Sequence, residues 1–116
     1  MLQSLTPLSS LLISLPLVAQ VAVPLQLGMP YTEARSTLVT AGWKPLDLPV
    51  TGDRQQSLQR WARDQGFTEI ASCLPSGSQA CRAVFQQGAN RLVVITSAMN
   101  QEPITVMGWR LGPSSR

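Results

Sequence analysis

The sequence contains no histidine, one lysine and only two cysteines among 116 residues. Without histidine there is no Ser-His triad, no Cys-His nucleophile and no imidazole to hold zinc or haem. No glycine-rich phosphate loop is present either. The six acids, Glu33, Asp47, Asp53, Asp64, Glu69 and Glu102, form no recognised catalytic pair. Asp47 and Asp53 flank one loop and are placed to approach each other, but surface loops are where carboxylates ordinarily sit. Lys44 lies beside Trp43 and Pro45, on what reads as an exposed edge. The sequence therefore implies no catalytic residue, no metal and no cofactor. A small hydrolase or a thiol enzyme is the enzymatic alternative.

Charge is also scarce. Charged residues make up 13% of the chain, and none precedes Glu33. Nine basic against six acidic residues give +3. That suits ordinary solubility and shows no clustered basic stripe, so nucleic acid is not an expected partner.

What the N-terminus has instead is an apolar run. Leu8 to Val23, LSSLLISLPLVAQVAV, matches the length of a signal-peptide core and is short for a membrane span. Residues 1–22 are expected to be a signal peptide, although no Lys or Arg precedes the run and the cleavage position stays open between Ala19 and Ala22. An uncleaved anchor and a buried helix are the alternatives. Pro7, Pro16 and Pro24 oppose a long regular helix. Export places the protein in the periplasm or outside the cell, with a thylakoid lumen as a further location, and the membrane is met only transiently.

In such a compartment two cysteines point to one disulfide, Cys73–Cys81. Seven residues separate them, which is not the Cys-x-x-Cys spacing of a redox pair. In a cytosolic protein the same two residues would be reduced and buried.

Residues 23–112 read as one α+β domain: one or two helices on a curved antiparallel sheet of three to four strands, followed by a frayed tail, 113–116. Tyr31, Ala34, Leu38 and Ala41 recur at steps of three and four, predicting a helix that Gly42 stops and Pro45 keeps from resuming. The stretch Trp43 to Val50 is extended, and its prolines confine it to an edge strand or loop. Asp53 and Gln56 form a capping-box pattern before a second helix, about Arg54 to Gln65, with Leu58, Trp61 and Ala62 on a thin apolar side, lying on the surface. From Phe67 onward, short β-prone runs separated by turn residues predict an antiparallel meander. Gly108 inside the last strand predicts a bulge or a close backbone approach. In the cysteine hairpin, Cys81, Ala83 and Phe85 face the core, and Arg35 on the first helix is placed to pair with Glu69.

The opening pattern, Val23-Pro24, Gly28, Ala34, Leu38 and Gly42, resembles the start of PASTA domains, the small repeats on exported parts of penicillin-binding proteins and bacterial kinases. That resemblance implies peptidoglycan binding. It covers about 20 residues, and the Ser or Thr that often caps the PASTA helix is here Pro30. A longer resemblance, over about three-quarters of the chain, is to a group of small exported proteins common in cyanobacteria and without assigned function. It rests on Gly28, Tyr31, Ala34, Arg35 and Leu38; on Gly42, Trp43 and Pro45; on Gly66, Phe67 and Glu69; and on Cys73, Gly77 and Cys81.

Candidate binding residues are Trp43 and Trp109, which would line one groove or complete the core, and Arg54, Arg60, Trp61 and Arg63, which would form a basic helix face. The expected function is a non-catalytic exported domain that binds or supports another envelope component, protein or cell wall. A PASTA-like peptidoglycan binder and a secreted protein inhibitor are the alternatives.

Overall fold

In the computed structural model, residues 23–50 and 57–114 are described. The expected signal segment 1–22, the Asp53–Gln56 capping box, Arg54 and residues 115–116 lie outside them. Two helices, α1 (Tyr31–Thr40) and α2 (Ser57–Asp64), accompany five strands, β1 (Lys44–Pro45), β2 (Ile70–Cys73), β3 (Cys81–Gln87), β4 (Asn90–Thr96) and β5 (Val106–Pro113). The class is α+β, with an open antiparallel sheet in the order β1-β3-β4-β5 and β2 also paired to β3. There are five strands rather than three or four because two short ones share an edge. Pro45 and Lys44 pair with Phe85 and Gln86, while Ile70 to Cys73 pair with Ala83 to Cys81. A proline without an N–H fits only such an outer position.

The α1 stripe arises as its spacing dictates: Tyr31, Ala34 and Leu38 are all fully buried. Ala41 is the C-cap and is exposed, so the stripe ends one turn short of the expected four residues. No side chain caps the N-terminus at Pro30. The Tyr31 N–H is satisfied instead by the carbonyl of Ile104 at 2.8 Å, and Gly28 and Met29 exchange bonds with Val106. The segment before the helix thereby pairs with the start of β5.

Both helices end alike. Gly42 N–H donates to Val39 and Trp43 N–H to Leu38; Gly66 N–H donates to Arg63 and Phe67 N–H to Ala62. This is the Schellman pattern, which needs a left-handed residue after the C-cap. Gly42 and Gly66 both sit at φ +98°. At Gly42 a Cβ would also meet the Gln87 side chain at 2.8 Å. The consequence is positional: each glycine turns the following aromatic, Trp43 or Phe67, back toward the core.

α2 corrects the sequence expectation. Leu58 and Ala62 are buried as predicted, but the third buried residue is Gln59, not Trp61. Gln59 Nε2 donates to the carbonyl of Ile70 at 2.8 Å. That carbonyl lies on the edge of β2, with no strand beyond it, so a polar side chain there satisfies a group that an apolar one would leave unpaired.

The meander follows. Gly88 and Ala89 form a two-residue turn closed by the Gln87–Asn90 pair. The β4–β5 register shifts between Ile95 and Thr96, leaving Met107 unmatched beside Gly108, which is the predicted bulge. A Cβ on Gly108 would meet nothing within 4 Å, so close approach is not its role. The last strand reaches Pro113, and Ser114 N–H still bonds Ala89, so order extends past the expected boundary at residue 112.

Cys73 and Cys81 are bonded across the β2–β3 hairpin, with Cα atoms 4.0 Å apart. For a sequence separation of eight residues, the chain-entropy model gives about 2.5 kcal/mol of stabilisation. Reducing the bridge is expected to lower the unfolding free energy by about that amount. Urea denaturation with and without reductant measures it, and coincident transitions would show that the bridge constrains nothing.

Candidate functional site

Glu69 precedes β2 and is fully buried, the only acid so placed among the described residues. A carboxylate in that position needs compensation. It receives it from α1: Arg35 Nε donates to Oε2 at 2.7 Å and Arg35 Nη2 to Oε1 at 3.2 Å, while the Tyr31 hydroxyl donates to Oε2 at 2.5 Å. Tyr31 and Arg35 are four residues apart and share one helix face. The Arg35–Glu69 pairing is the one expected from the sequence; the phenol is an addition. Phe67 completes the cluster, edge-on to Tyr31 with ring centroids 5.4 Å apart and beneath Arg35, whose guanidinium carbon lies 5.7 Å from the ring centre.

The electrostatics follow from the packing. Burial first, then the neighbouring Glu69 charge and hydrogen bond, pushes the Tyr31 phenol well above its usual range, with Arg35 opposing. The hydrogen bond to Glu69 raises Arg35 against a desolvation effect of the opposite sign. Both carboxylate oxygens are thus committed to internal donors. The cluster fastens α1 to the turn that leads into β2.

Above it lies a groove. Thr32, Arg35, Ser36, Val39, Thr40 and Phe67 line a depression of about 390 Å³. A second, about 220 Å³, shares Thr32 and Phe67 and continues past Trp61, Gln65 and the Glu102–Ile104 segment. Trp61 is 37% exposed and forms one wall. Phe67 is the shared floor, held there by the glycine-aromatic end of α2. The result joins two aromatic rings, three hydroxyls and one partly exposed guanidinium.

The sequence candidates distribute unevenly around this groove. Among the described candidates only Trp61 lines it. Trp43, 2% exposed, is a core residue, and Trp109 packs half-buried against the same core. Neither tryptophan borders the grooves over Phe67. Arg63 is drawn away from a free basic face: Nη1 donates to the Leu48 carbonyl at 2.7 Å and Nη2 meets Asp47 at 2.8 Å. Asp47 therefore faces Arg63, and its proposed approach to Asp53 falls outside the described residues. Arg60 is exposed on α2. Thr32, Ser36, Val39 and Phe67 were not among the binding candidates named from the sequence, because the depression exists only once α1, α2 and the β4–β5 loop converge. Among the described residues no cluster of three or more His, Cys, Asp or Glu side chains is placed to hold a metal, and no helix is long and apolar enough to cross a membrane.

No family model, curated protein or solved structure matches the chain.

Tyr31 is the only tyrosine, which makes its titration readable. Its folded pKa lies above the unfolded value, so its contribution to stability is complete below about pH 10 and is lost as pH rises through the folded value. Unfolding free energy is expected to fall as pH rises above about pH 10, and to fall less in Tyr31→Phe. Phenolate absorbance checks the same point: ionisation of the folded protein at the ordinary tyrosine pH would contradict the assigned burial.

Proposed function

We propose that this chain is a non-catalytic exported domain that binds a component of the cell envelope through the groove over Phe67. The observation that carries the reading is the composition of that groove. Exposed Trp61 and half-buried Phe67 offer flat apolar faces, and Thr32, Ser36 and Thr40 supply hydroxyls beside them. Aromatic surface with a few convergent polar groups is the usual make-up of a ligand cleft. It suits a glycan strand, which presents apolar ring faces rimmed by hydroxyls, and so favours the cell wall as the envelope component. The PASTA-like start of α1 agrees with that choice.

Two further observations support the reading. Glu69, the one deeply buried acid among the described residues, has both oxygens engaged by Tyr31 and Arg35, which suits a structural tie better than proton transfer. The cystine closes a short hairpin of a small domain, the kind of staple found in oxidising compartments.

Sedimentation with purified peptidoglycan tests the proposal. The protein is expected to co-sediment, and Trp61→Ala is expected to weaken retention by about tenfold while leaving the urea transition in place, as for an aromatic anchor. Retention no greater than that of an unrelated protein of similar size and charge would end the glycan reading.

A further inference from the structure

The strand register sorts the paired sheet residues onto two faces. One face carries the core rows: Cys73, Cys81, Thr96 and Val106; then Ile70, Ala83, Val94 and Trp109; then Pro45, Phe85, Leu92 and Leu111, of which Leu111 alone is exposed. The helices and the β4–β5 loop cover it. The opposite rows are Ser72, Arg82, Ile95 and Gly108; then Val84, Val93 and Arg110; then Lys44, Gln86, Arg91 and Gly112. Every one of these rows contains a cation, and none contains an acid. Of the five acids among the described residues, Glu33 and Asp64 lie on helices and Glu102 in the β4–β5 loop, while Asp47 meets Arg63 and Glu69 is buried on the core side.

The four cations are unevenly tied. Lys44, Arg82 and Arg110 are exposed. Arg91 is half-buried and meets Gln86 at 3.5 Å, and its Nε has no hydrogen-bond partner. Among the described residues no ion pair neutralises any of them. Folding has therefore gathered four of the nine basic residues on one side of the sheet, although in sequence they are scattered from position 44 to position 110.

Apolar surface adjoins this charge. A hollow of about 420 Å³ opens at the cystine end of the face, lined by Ser72, Leu74, Arg82 and Ile95 together with Cys73 and Cys81. Leu74 at its rim is 53% exposed. A charge pattern spread in two dimensions beside an apolar hollow differs from the linear stripe that tracks a rod-like polyanion. It matches a surface of phosphate headgroups over hydrocarbon, where guanidinium forks engage phosphate oxygens and apolar side chains enter the boundary layer.

We propose that this basic sheet face docks on anionic lipid headgroups, with Arg82, Arg91, Arg110 and Lys44 on phosphates and Leu74 and Ile95 against the apolar boundary. The face lies on the other side of the sheet from the groove over Phe67, so both can be occupied together. The proposal is independent of what that groove binds.

The test is vesicle sedimentation of the full-length chain. Vesicles of phosphatidylcholine alone measure whatever partitioning the Leu8–Val23 run causes. Vesicles of phosphatidylcholine mixed equally with phosphatidylglycerol report the additional electrostatic binding. Excess binding to the anionic vesicles is expected, weakening as salt is raised. The double variant Arg82→Gln/Arg110→Gln is expected to lose about thirtyfold of that excess, at roughly one logarithmic step or less per removed cation. Arg60→Gln/Arg63→Gln, with the same net charge, is expected to retain it. Equal binding to both vesicle types, or equal loss in both double variants, would overturn the proposal. So would retention on a dextran sulfate resin without excess binding to anionic vesicles, which would assign the face to a soluble polyanion.

Discussion

A buried carboxylate holds this domain in register. Glu69 touches three elements at once: its backbone carbonyl accepts the Val84 N–H of β3, its chain leads into β2, and its side chain takes three hydrogen bonds from α1. Removing a carboxylate from water costs several kcal/mol, an expense that only well-formed partners offset. Here the partners come from one helix face at positions 31 and 35, so the helix cannot slide or rotate by a residue without abandoning the charge. Apolar contacts alone would tolerate such slippage. The ion cluster therefore adds specificity to a core whose cohesion comes from Tyr31, Leu38, Trp43, Phe85 and their neighbours.

The remaining devices serve the same end at the periphery. Each helix stops at a glycine that redirects an aromatic into the core, and one of those aromatics, Phe67, both flanks the ion cluster and floors the groove. The same ring serves the core and the groove proposed to bind a ligand. Gln59 closes the exposed edge of β2, Gln87 reaches the last carbonyls of α1 through Ala41, and the cystine closes the hairpin. A domain of this size buries a modest core, so polar ties and a covalent staple carry a larger share than they would in a bigger protein.

Local features were legible in the sequence. The α1 stripe and its stop at Gly42, the meander, the bulge beside Gly108, the cystine and the Arg35–Glu69 pair each depend on short-range spacing or on charge complementarity between neighbouring elements. Features that depend on convergence were not. Nothing in SLQRWARD says that Gln59 turns inward and Trp61 outward; that follows from an unpaired carbonyl on β2. The groove over Phe67 needs three elements distant in sequence. The basic sheet face was missed for the same reason: Arg82, Arg91 and Arg110 share a side only through cross-strand register, and in sequence they read as isolated charges. Trp43 and Trp109, conspicuous because each follows a glycine, are packed into or against the core rather than joined in a cleft.

The central claim is that the Glu69 carboxylate fastens α1 to the sheet, and native-state hydrogen exchange on Glu69→Gln tests it most directly. The substitution keeps the shape and removes the charge that Arg35 and Tyr31 answer, at an expected loss of about 3 kcal/mol. The account predicts that amides of α1 and of β2–β3 lose protection together by that amount. Unchanged protection of α1 in the variant would contradict it.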